Sequence, residues 1–339
     1  MQQSDPAIRI RGVTKTFGSK TAVSNLDLEV PAGSVCGFLG PNGAGKTTTI
    51  RMVMSIFGPD SGSIEVLGKK SAIESKDRIG YLPEERGVYK KMRVGDFVKY
   101  MATLKGVPSE GLNKKIDDWL ERLELPGVRK KKCEELSKGM QQKVQYLAAV
   151  IHEPDLIILD EPFSGLDPVN VRLIRGLIDE LRRDGKTIIF STHVLSSAEA
   201  LCDRIFMINR GQKVLDGSID GIRGKFDPKT IIVEALDPSN GVLGQVDAVE
   251  GVHSALQSPA SGVIEAHIND NADPQQVMQR LMAAAPMRKV ELRRATLEDV
   301  FIALVDPGDS EDSLRAALSA GGGALDENEQ SNGEGATNA

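Results

Sequence analysis

The first two-thirds of the chain alternate between short apolar runs and longer amphipathic segments. Leu156–Leu159 is a continuous apolar run, which is typical of a strand buried on both faces of a sheet. A helix is predicted from Pro168, with Asp167 as its N-cap and apolar residues at helical spacing behind it. Further strands are predicted at 8–13, 22–30, 35–39, 64–66, 79–82, 187–190, 205–208 and, after a hairpin at 209–211, 213–215. This alternation predicts an α/β fold with a mainly parallel sheet covered by helices on both sides.

Residues 86–149 interrupt this alternation with a helical pattern. Two stripes of apolar residues at i, i+3, i+4 and i+7 spacing predict two amphipathic helices, and we expect both stripes to be core. The first stripe is Phe97, Tyr100, Met101 and Leu104, and the second is Leu112, Ile116, Trp119, Leu120 and Leu123. A third helix is predicted behind Ser137, with Met140, Val144, Leu147 and Ile151 as its buried stripe. The segment therefore reads as a helical subdomain inserted in the α/β domain 1–216.

From about residue 217 the pattern changes to short strands and two capped helices. Strands are predicted at 230–235, 263–268 and 289–293, a helix starts at Asp273-Pro274, and Thr296 and Asp299 cap another helix. We expect a small α+β accessory domain over 217–305. Residues 306–339 are rich in Gly, Asn, Ser and Glu and cannot supply a core, so an acidic disordered tail is predicted there.

The net charge of −6 lies mostly in that tail, which has eight acidic residues and one basic residue, Arg315. The remainder is close to neutral, so no nucleic-acid partner is expected. Two basic runs, Lys90-Lys91 with Arg93 and 129–132, are expected to be solvated faces, with a polar partner or anionic lipid headgroups as the alternative. Three scattered cysteines indicate reduced thiols in a cytosolic compartment. No apolar run reaches the length of a membrane span.

The strongest chemical motif is the glycine-rich loop Gly40-Pro41-Asn42-Gly43-Ala44-Gly45-Lys46-Thr47, which fits GxxxxGK[ST] between a strand and a helix. Its glycines let backbone N–H groups surround phosphate oxygens, and the helix N-terminus adds a favourable field. Lys46 supplies charge for the β- and γ-phosphates, and Thr47 offers a hydroxyl to Mg²⁺. The loop predicts a site for ATP with Mg²⁺.

Two adjacent acids, Asp160 and Glu161, follow the buried strand. Asp160 at the strand end is expected to hold Mg²⁺, largely through water. Glu161 is then beside the γ-phosphate and can orient or deprotonate the attacking water. These residues predict hydrolysis as well as binding of ATP.

Five motifs in order resemble those of the ATP-binding cassette (ABC) proteins and cover about residues 8–216. Beside the phosphate loop and the Asp160-Glu161 pair, 136–142 (LSKGMQQ) resembles the LSGGQ signature, 164–167 (SGLD) resembles the D-loop, and His193 matches the switch histidine. The resemblance implies a P-loop NTPase cassette fold with catalytic roles for Lys46, Glu161 and His193.

The same resemblance implies further ATP contacts and a dimer. Phe17 stands where an aromatic ring stacks on adenine, and Thr48 follows the loop. Ser137 and Gly139 of a second subunit face the γ-phosphate in a head-to-tail dimer, which the D-loop residue Asp167 adjoins. A homodimer is expected.

The sequence departs from the family pattern at three positions. Lys138 and Met140 replace the first Gly and the Gln of the signature. Glu84 stands where the family has the Q-loop Gln, so a carboxylate is expected beside Mg²⁺ and phosphate. That charge would favour the metal, repel the nucleotide and make turnover slower or more tightly coupled.

The resemblance extends to exporter-type ATP-binding subunits of the antibiotic-resistance and sodium-efflux group. It implies a peripheral protein on the cytoplasmic face of the cell membrane whose separate integral-membrane permease contacts residues 86–149. The alternative is a soluble ABC ATPase acting on ribosomes or DNA, which the single cassette and the absence of CxxC pairs disfavour. A regulator without turnover is a third option, disfavoured by Glu161 and His193.

Overall fold

The computed structural model describes residues 5–85, 87–225, 229–237 and 241–305. The chain divides into two compact units between Ile219 and Asp220. None of the helices in the described ranges has the length and apolar character of a membrane span. The predicted disorder of residues 306–339 lies outside the described residues.

The first unit contains a six-stranded sheet, a three-stranded sheet and six helices in its described residues. Its elements are β1 (Ile8–Phe17), β2 (Lys20–Val30), β3 (Val35–Leu39), α1 (Lys46–Val53), β4 (Ser61–Val66), β5 (Ile79–Leu82), α2 (Val94–Leu104), α3 (Leu112–Arg122), α4 (Lys138–Val150), β6 (Leu156–Asp160), α5 (Pro168–Arg183), β7 (Thr187–Thr192), α6 (Leu195–Leu201), β8 (Arg204–Asn209) and β9 (Gln212–Ser218). Short 3₁₀ helices lie at Ala72–Arg78 and Cys133–Glu135.

The six-stranded sheet has the order β5-β6-β7-β3-β8-β9. Its strands are parallel except for β9, which returns antiparallel to β8 through the predicted hairpin at Arg210-Gly211. Every residue of β3, β6 and β7 is buried, as their continuous apolar runs predict for strands covered on both faces. The predicted α/β class is confirmed.

The three-stranded sheet is antiparallel, with the order β2-β1-β4. Its apolar face shares one core with α1 and the six-stranded sheet, through residues such as Ile10, Leu28, Ile50, Ile158 and Phe206. The start of α1, which follows the glycine-rich loop directly, is thereby fixed between two sheets.

The helical segment confirms one predicted stripe and corrects two. All five residues of the predicted α3 stripe are buried. In α2, Tyr100 and Leu104 are 43% and 56% exposed, because Val94, Val98 and Ala102 form a competing stripe that faces the core. Helix α4 is buried on all sides from Gln142 to Val150, whereas Met140 is only half-buried.

The described residues of the second unit form four helices and four strands. They are α7 (Ile219–Lys225), β10 (Thr230–Ala235), α8 (Val242–Asp247), β11 (Val252–Gln257), β12 (Ile264–Ile268), α9 (Pro274–Ala284), β13 (Met287–Leu292) and α10 (Leu297–Val305). The strands form an antiparallel sheet with the order β11-β12-β10-β13. Its core contains apolar residues of α8 and α9, among them Val246 and Leu281. The short elements α7, α8, β11 and, in the first unit, α6 have no counterpart in our predictions.

Candidate functional site

Four neighbouring parallel strands bring the predicted residues to one edge of the sheet. In the order β5-β6-β7-β3, their carboxyl ends lead into Glu84, Asp160-Glu161, His193 and the loop 40–47. The register pairs Asp160 with Ser191 and Leu39 with Thr192, so these strand ends lie side by side. Ligands of open α/β sheets bind outside the carboxyl ends of the strands.

The glycine-rich loop is held in a conformation that its glycines alone allow. Gly40 has φ 147°, and a Cβ there would lie 2.1 Å from the Ile208 carbonyl oxygen. Gly45, the N-cap of α1, has φ 110°, and its Cβ would lie 2.5 Å from the Ala22 carbonyl oxygen. Both contacts are with backbone, which cannot move aside, so the loop is fixed before any ligand binds.

Lys46 is folded back on this loop. Its Nζ donates hydrogen bonds to the carbonyl oxygens of Gly40 at 2.6 Å and Pro41 at 3.2 Å. Burial lowers the pKa of Lys46 below its ordinary value, while the nearby carboxylates of Glu161, Asp160 and Glu84 act in the opposite direction. A buried cation thus stands among three carboxylates, with only neutral carbonyls as hydrogen-bond acceptors.

Asp160 is fully buried, and only one of its two carboxylate oxygens has a hydrogen-bond partner. Its Oδ1 accepts a hydrogen bond from Ser191 Oγ, whereas Oδ2 accepts none in the structure. Burial raises the pKa of Asp160, and the side chains of Ser191 and Thr47 counteract this rise. An unpartnered carboxylate oxygen beside a threonine hydroxyl is the oxygen donor set that Mg²⁺ prefers, so the residues fit that ion.

Glu161 is held in a strained conformation by its neighbours on β7. Its φ is +49°, a left-handed value that non-glycine residues adopt at a cost of about 1–3 kcal/mol. Oε1 accepts from the backbone N–H of His193 at 3.1 Å and lies 2.8 Å from His193 Nδ1. Oε2 accepts from Thr192 Oγ1 at 3.3 Å. An ionised carboxylate only accepts hydrogen bonds, so opposite an ionised Glu161 the Nδ1 of His193 is the donor.

A cleft of about 430 Å³ opens over the loop. This volume falls within the range of small-molecule sites. Phe17 at its rim is 50% exposed and makes an edge contact with Phe57 at 5.6 Å, with Lys15 Nζ 5.5 Å from its ring centre. The cleft is lined by Phe17, Lys20, Ala22, Asn42, Gly43, Ala44, Gly45, Lys46, Thr47, Thr48, Glu84, Asp160 and Glu161.

Glu84 lines this cleft as an exposed side chain. It follows β5, and the next residue, Glu85, lies 3.8 Å from the Arg51 guanidinium on α1. The Glu85 carbonyl also accepts a hydrogen bond from Gln145 Nε2 of α4 at 3.4 Å. The loop carrying Glu84 is therefore tied to α1 and to α4.

Ser137, Gly139 and Asp167 do not line the cleft; they form a separate surface, here called the signature surface. Ser137 caps α4 by accepting from the Met140 N–H at 3.3 Å, as predicted. Asp167 caps α5 by accepting from the Asn170 N–H at 2.9 Å. A Cβ on Gly139 would lie 3.5 Å from Leu166 and 4.0 Å from Asn170, so the N-termini of α4 and α5 lie side by side.

Sequence reasoning missed several polar residues that hold the site. The hydroxyls of Ser191 and Thr192 donate hydrogen bonds to Asp160 and Glu161. The sequence signal that could have identified them is a pair of hydroxyl residues at the end of an apolar strand. Lys20 and Ala22 line the cleft from β2 without any motif. Gln142 Nε2 donates to the Pro162 carbonyl just after Glu161, at 3.4 Å, and with Gln145 it links α4 to both acidic loops.

Comparisons with known proteins agree on one family. Residues 23–164 match the ABC transporter family, and residues 217–305 match the C-terminal domain of DrrA1-3-like ATP-binding proteins. The uncharacterized ABC transporter ATP-binding protein YhaQ of Bacillus subtilis (strain 168) is 40% identical over 295 residues, covering 87% of this chain and 97% of the relative.

A second relative and one solved structure extend this result. The daunorubicin resistance ATP-binding protein DrrA3 of Streptomyces coeruleorubidus is 30% identical over 306 residues, covering 89% of this chain and 96% of the relative. A solved ATP-binding subunit of an ABC transporter superposes with a TM-score of 0.61 at 27% identity, over 65% of this chain and 93% of that one. The predicted cassette fold is confirmed.

Proposed function

Because the chain belongs to the ABC family, as an ATP-binding and ATP-hydrolysing subunit that powers a membrane transporter, we propose that two copies close around ATP and Mg²⁺ and drive a separate permease. The observation that carries this proposal is the division of the predicted residues into two sets. One set lines a single cleft or directly adjoins its lining, as Gly40, Pro41 and His193 do. The other set forms the signature surface outside it.

ATP binding at the cleft rests on the loop and on Lys46. The phosphates would accept hydrogen bonds from the inward-facing N–H groups of the loop 40–48 and from the N-terminus of α1. Lys46 Nζ would exchange the Gly40 and Pro41 carbonyls, which are neutral, for phosphate oxygens, which are charged acceptors and stronger. Phe17 at the rim offers its exposed ring to the adenine.

Mg²⁺ would be held by the Thr47 hydroxyl and by Asp160, whose Oδ2 otherwise has no partner. Glu84 is the third candidate, because its carboxylate lines the same cleft. A bound Mg²⁺ neutralises negative charge on the transferred phosphate. Ser191 keeps Asp160 oriented by donating to its other oxygen.

Hydrolysis is assigned to Glu161 with His193 as its partner. His193 donates to Oε1 through both its backbone N–H and Nδ1. Oε2 has only the Thr192 hydroxyl at 3.3 Å, so it is the oxygen that can accept a proton from the attacking water. His193, 52% exposed, would donate from its other ring nitrogen to the γ-phosphate when that nitrogen also carries a proton.

A second copy of the chain would complete the site. Gly139 has an ordinary helical conformation and its surroundings leave room for a Cβ, so nothing among the described residues requires glycine there. Ser137 is exposed beside it at the N-terminus of α4, a terminus that favours an anion. A phosphate held by the partner copy accounts for both residues, with Asp167 in the adjoining contact.

The permease would dock on the exposed apolar residues of the helical segment. Tyr89, Tyr100 and Leu104 are 53%, 43% and 56% exposed. The ring centroids of Tyr89 and Tyr100 lie 5.9 Å apart in an edge contact. Such a patch marks a protein contact. We infer an exporter, with this subunit peripheral on the cytoplasmic face of the membrane, because a resistance protein is among the relatives. Action on ribosomes or DNA receives no support from the relatives.

The test compares the full-length chain with a Glu161→Gln variant. We expect turnover to fall by about 10²- to 10⁴-fold, the usual contribution of a general base, while ATP binding persists. Glu180→Gln is the matched control. Glu180 is an exposed residue of α5 that pairs with Arg122, and its replacement should leave turnover unchanged. Unchanged turnover in Glu161→Gln would remove Glu161 from the mechanism.

The transport role is tested by co-purification from detergent-solubilised membranes. We expect a polytopic membrane protein to accompany the wild-type chain and to be lost when Tyr89 and Tyr100 are both replaced by Ser. Sedimentation with ribosomes, without any membrane protein, would contradict the transporter assignment.

A further inference from the structure

The two basic runs of the helical segment, separated in the sequence by residues 94–128, lie side by side in the fold. The backbone N–H groups of Glu134 and Cys133 donate to the carbonyls of Lys90 and Met92 at 3.0 and 2.9 Å. In the other direction, the Val94 N–H donates to the Lys131 carbonyl at 2.9 Å. An isolated antiparallel bridge joins Arg93 to Lys132. Backbone pairing therefore forces like charges together.

Most of these charges have no counter-ion within the part of the chain that the structure describes. Arg129 pairs with Asp117 at 2.5 Å and Lys132 lies 3.7 Å from Glu134. The remaining cations are exposed, and none has a carboxylate within 4.0 Å among the residues that the structure describes. We call these five residues the basic patch: Lys90, Lys91, Arg93, Lys130 and Lys131.

Exposed tyrosines border the basic patch. Tyr89 precedes Lys90 directly, is 53% exposed, and its ring contacts Tyr100 on α2. Tyrosine has an apolar ring and a polar hydroxyl, which suit the boundary between the hydrocarbon and aqueous regions of a membrane. It is enriched at membrane interfaces together with lysine. Folding has thus placed both kinds of interfacial residue on one face.

We propose that the basic patch rests directly on anionic lipid headgroups, beside the tyrosine contact proposed for the permease. Four of the five free cations are lysines, which act as point charges toward a diffuse negative surface. A defined carboxylate or phosphate on a protein partner would instead favour the planar fork of arginine. Each basic residue near an anionic bilayer contributes independently of register, which suits a row of exposed lysines. Anionic lipid headgroups were one of the two alternatives to a solvated face in the sequence analysis.

This contact rests on the proposed membrane location but not on the permease, since lipid alone would supply the partner. Its failure in vesicles free of protein would leave the ATPase and the permease docking untouched. Failure of the permease docking would likewise leave the lipid contact measurable.

The test is co-sedimentation of the full-length chain with vesicles. One set is neutral phosphatidylcholine, and in the other about a third of the lipid is phosphatidylglycerol. We expect binding to the anionic vesicles only, weakening as salt is added. The patch variant Lys90→Gln/Lys91→Gln/Lys130→Gln/Lys131→Gln should lose at least about tenfold in binding.

A matched variant separates the patch from net charge. Lys69→Gln/Lys70→Gln/Lys76→Gln/Lys114→Gln removes the same charge at exposed positions elsewhere and should bind vesicles as the wild type does. Both variants should retain the wild-type ATPase rate without lipid, which shows that they are folded. Equal losses in both variants would overturn the proposal. So would a patch variant that keeps vesicle binding but loses a co-purifying membrane protein, because the partner would then be a protein.

Discussion

The nucleotide cleft and the signature surface are built in opposite ways. In the cleft, glycines are forced by backbone contacts, Glu161 has a left-handed φ, and a buried lysine faces three carboxylates. On the signature surface, Ser137 and Asp167 make ordinary helix caps, and a Cβ on Gly139 would make only ordinary van der Waals contacts. The fold of one chain explains the cleft residue by residue. It does not explain the choice of Gly139, for which we propose the contact with a second copy.

Replacing Gly40 of the cleft and Gly139 of the signature surface by alanine should give the largest difference between the two regions. Gly40→Ala should lower the free energy of unfolding by about 1–3 kcal/mol, because its Cβ would press on the Ile208 carbonyl at a φ that alanine avoids. Nucleotide binding should be lost with the loop. Gly139→Ala should change the free energy of unfolding by no more than about 0.5 kcal/mol. This variant should keep ATP binding and lower turnover about tenfold.

Thermal or urea unfolding and a binding titration on each variant check this pair. Gly176→Ala is the matched control, since this helical glycine of α5 has no neighbour within 4 Å of its added Cβ, and its turnover should be unchanged. Loss of stability in Gly139→Ala would show that the signature surface is shaped by the chain's own packing.

The next effect tests the links between the two regions. Gln145 of α4 donates to the carbonyl of Glu85, and its Oε1 is buried without a partner. Gln145→Leu keeps the volume but removes the donor, so the loop carrying Glu84 should be positioned less firmly. We expect kcat to fall by about 3- to 10-fold, the size of one hydrogen bond, with the KM for ATP little changed.

Steady-state kinetics of Gln145→Leu and of Gln145→Glu separate positioning from packing. Gln145→Glu retains the shape and, when ionised, cannot donate, so at a pH where the carboxylate is ionised it should be at least as impaired as the leucine variant. A rise in KM with kcat unchanged would contradict a positioning role for Gln145.

His152, just beyond the C-terminal end of α4, gives a pH-dependent effect of similar size. Its Nε2 lies 3.1 Å from the Ile79 carbonyl of β5, and burial lowers its pKa to about 4, with Lys105 adding to the shift. The unfolded chain then binds more protons than the native one between pH 4 and the ordinary histidine value of about 6.5. Native stability should therefore fall as the pH is lowered through this window.

Because His152 is partly exposed, we expect a loss of about 1 kcal/mol rather than the full value of the shift. Urea unfolding at several pH values should show this loss in the wild type and less of it in His152→Gln. Parallel pH profiles for the two chains would show that His152 does not anchor α4 to β5.

The smallest effect concerns Glu84, the carboxylate that departs from the family pattern. Glu84→Gln removes a negative charge that is exposed to solvent in the cleft, so ATP should bind about two- to fivefold more tightly at low salt. Turnover should be equal or higher. Complete loss of ATP binding in a titration would refute the assignment of Glu84 to the Q-loop position.

The sequence predicted the cleft better than the surfaces, for a physical reason. The loop 40–47 and Asp160-Glu161 follow strands whose burial on both faces is visible as continuous apolar runs, so their convergence follows from parallel-sheet geometry. Helix α2 offers two apolar stripes, and periodicity cannot tell that Val94 and Val98, rather than Tyr100 and Leu104, face the core. The sheet strand β11 was missed because its sequence, 252–257, alternates too weakly.

Partnerships between distant polar residues were also beyond local pattern. Gln142 and Gln145 look like solvent-facing residues of an amphipathic helix, yet they are buried because carbonyls of loops 20 and 60 residues away accept their amides. The hydroxyl of Ser191 on β7 donates a hydrogen bond to Asp160 on the neighbouring strand β6. Such contacts depend on the strand order β5-β6-β7-β3, which only the fold supplies.

Sedimentation velocity of the Glu161→Gln variant with ATP and Mg²⁺ tests the central claim most directly. Because this variant should bind ATP without hydrolysing it, we predict a dimer with ATP and a monomer without it. Adding Gly139→Asp, a residue that suits an exposed helix N-terminus but repels phosphate, should leave ATP binding intact and the protein monomeric. A Glu161→Gln chain that stays monomeric with bound ATP, or a dimer that survives Gly139→Asp, would contradict a site completed by a second copy.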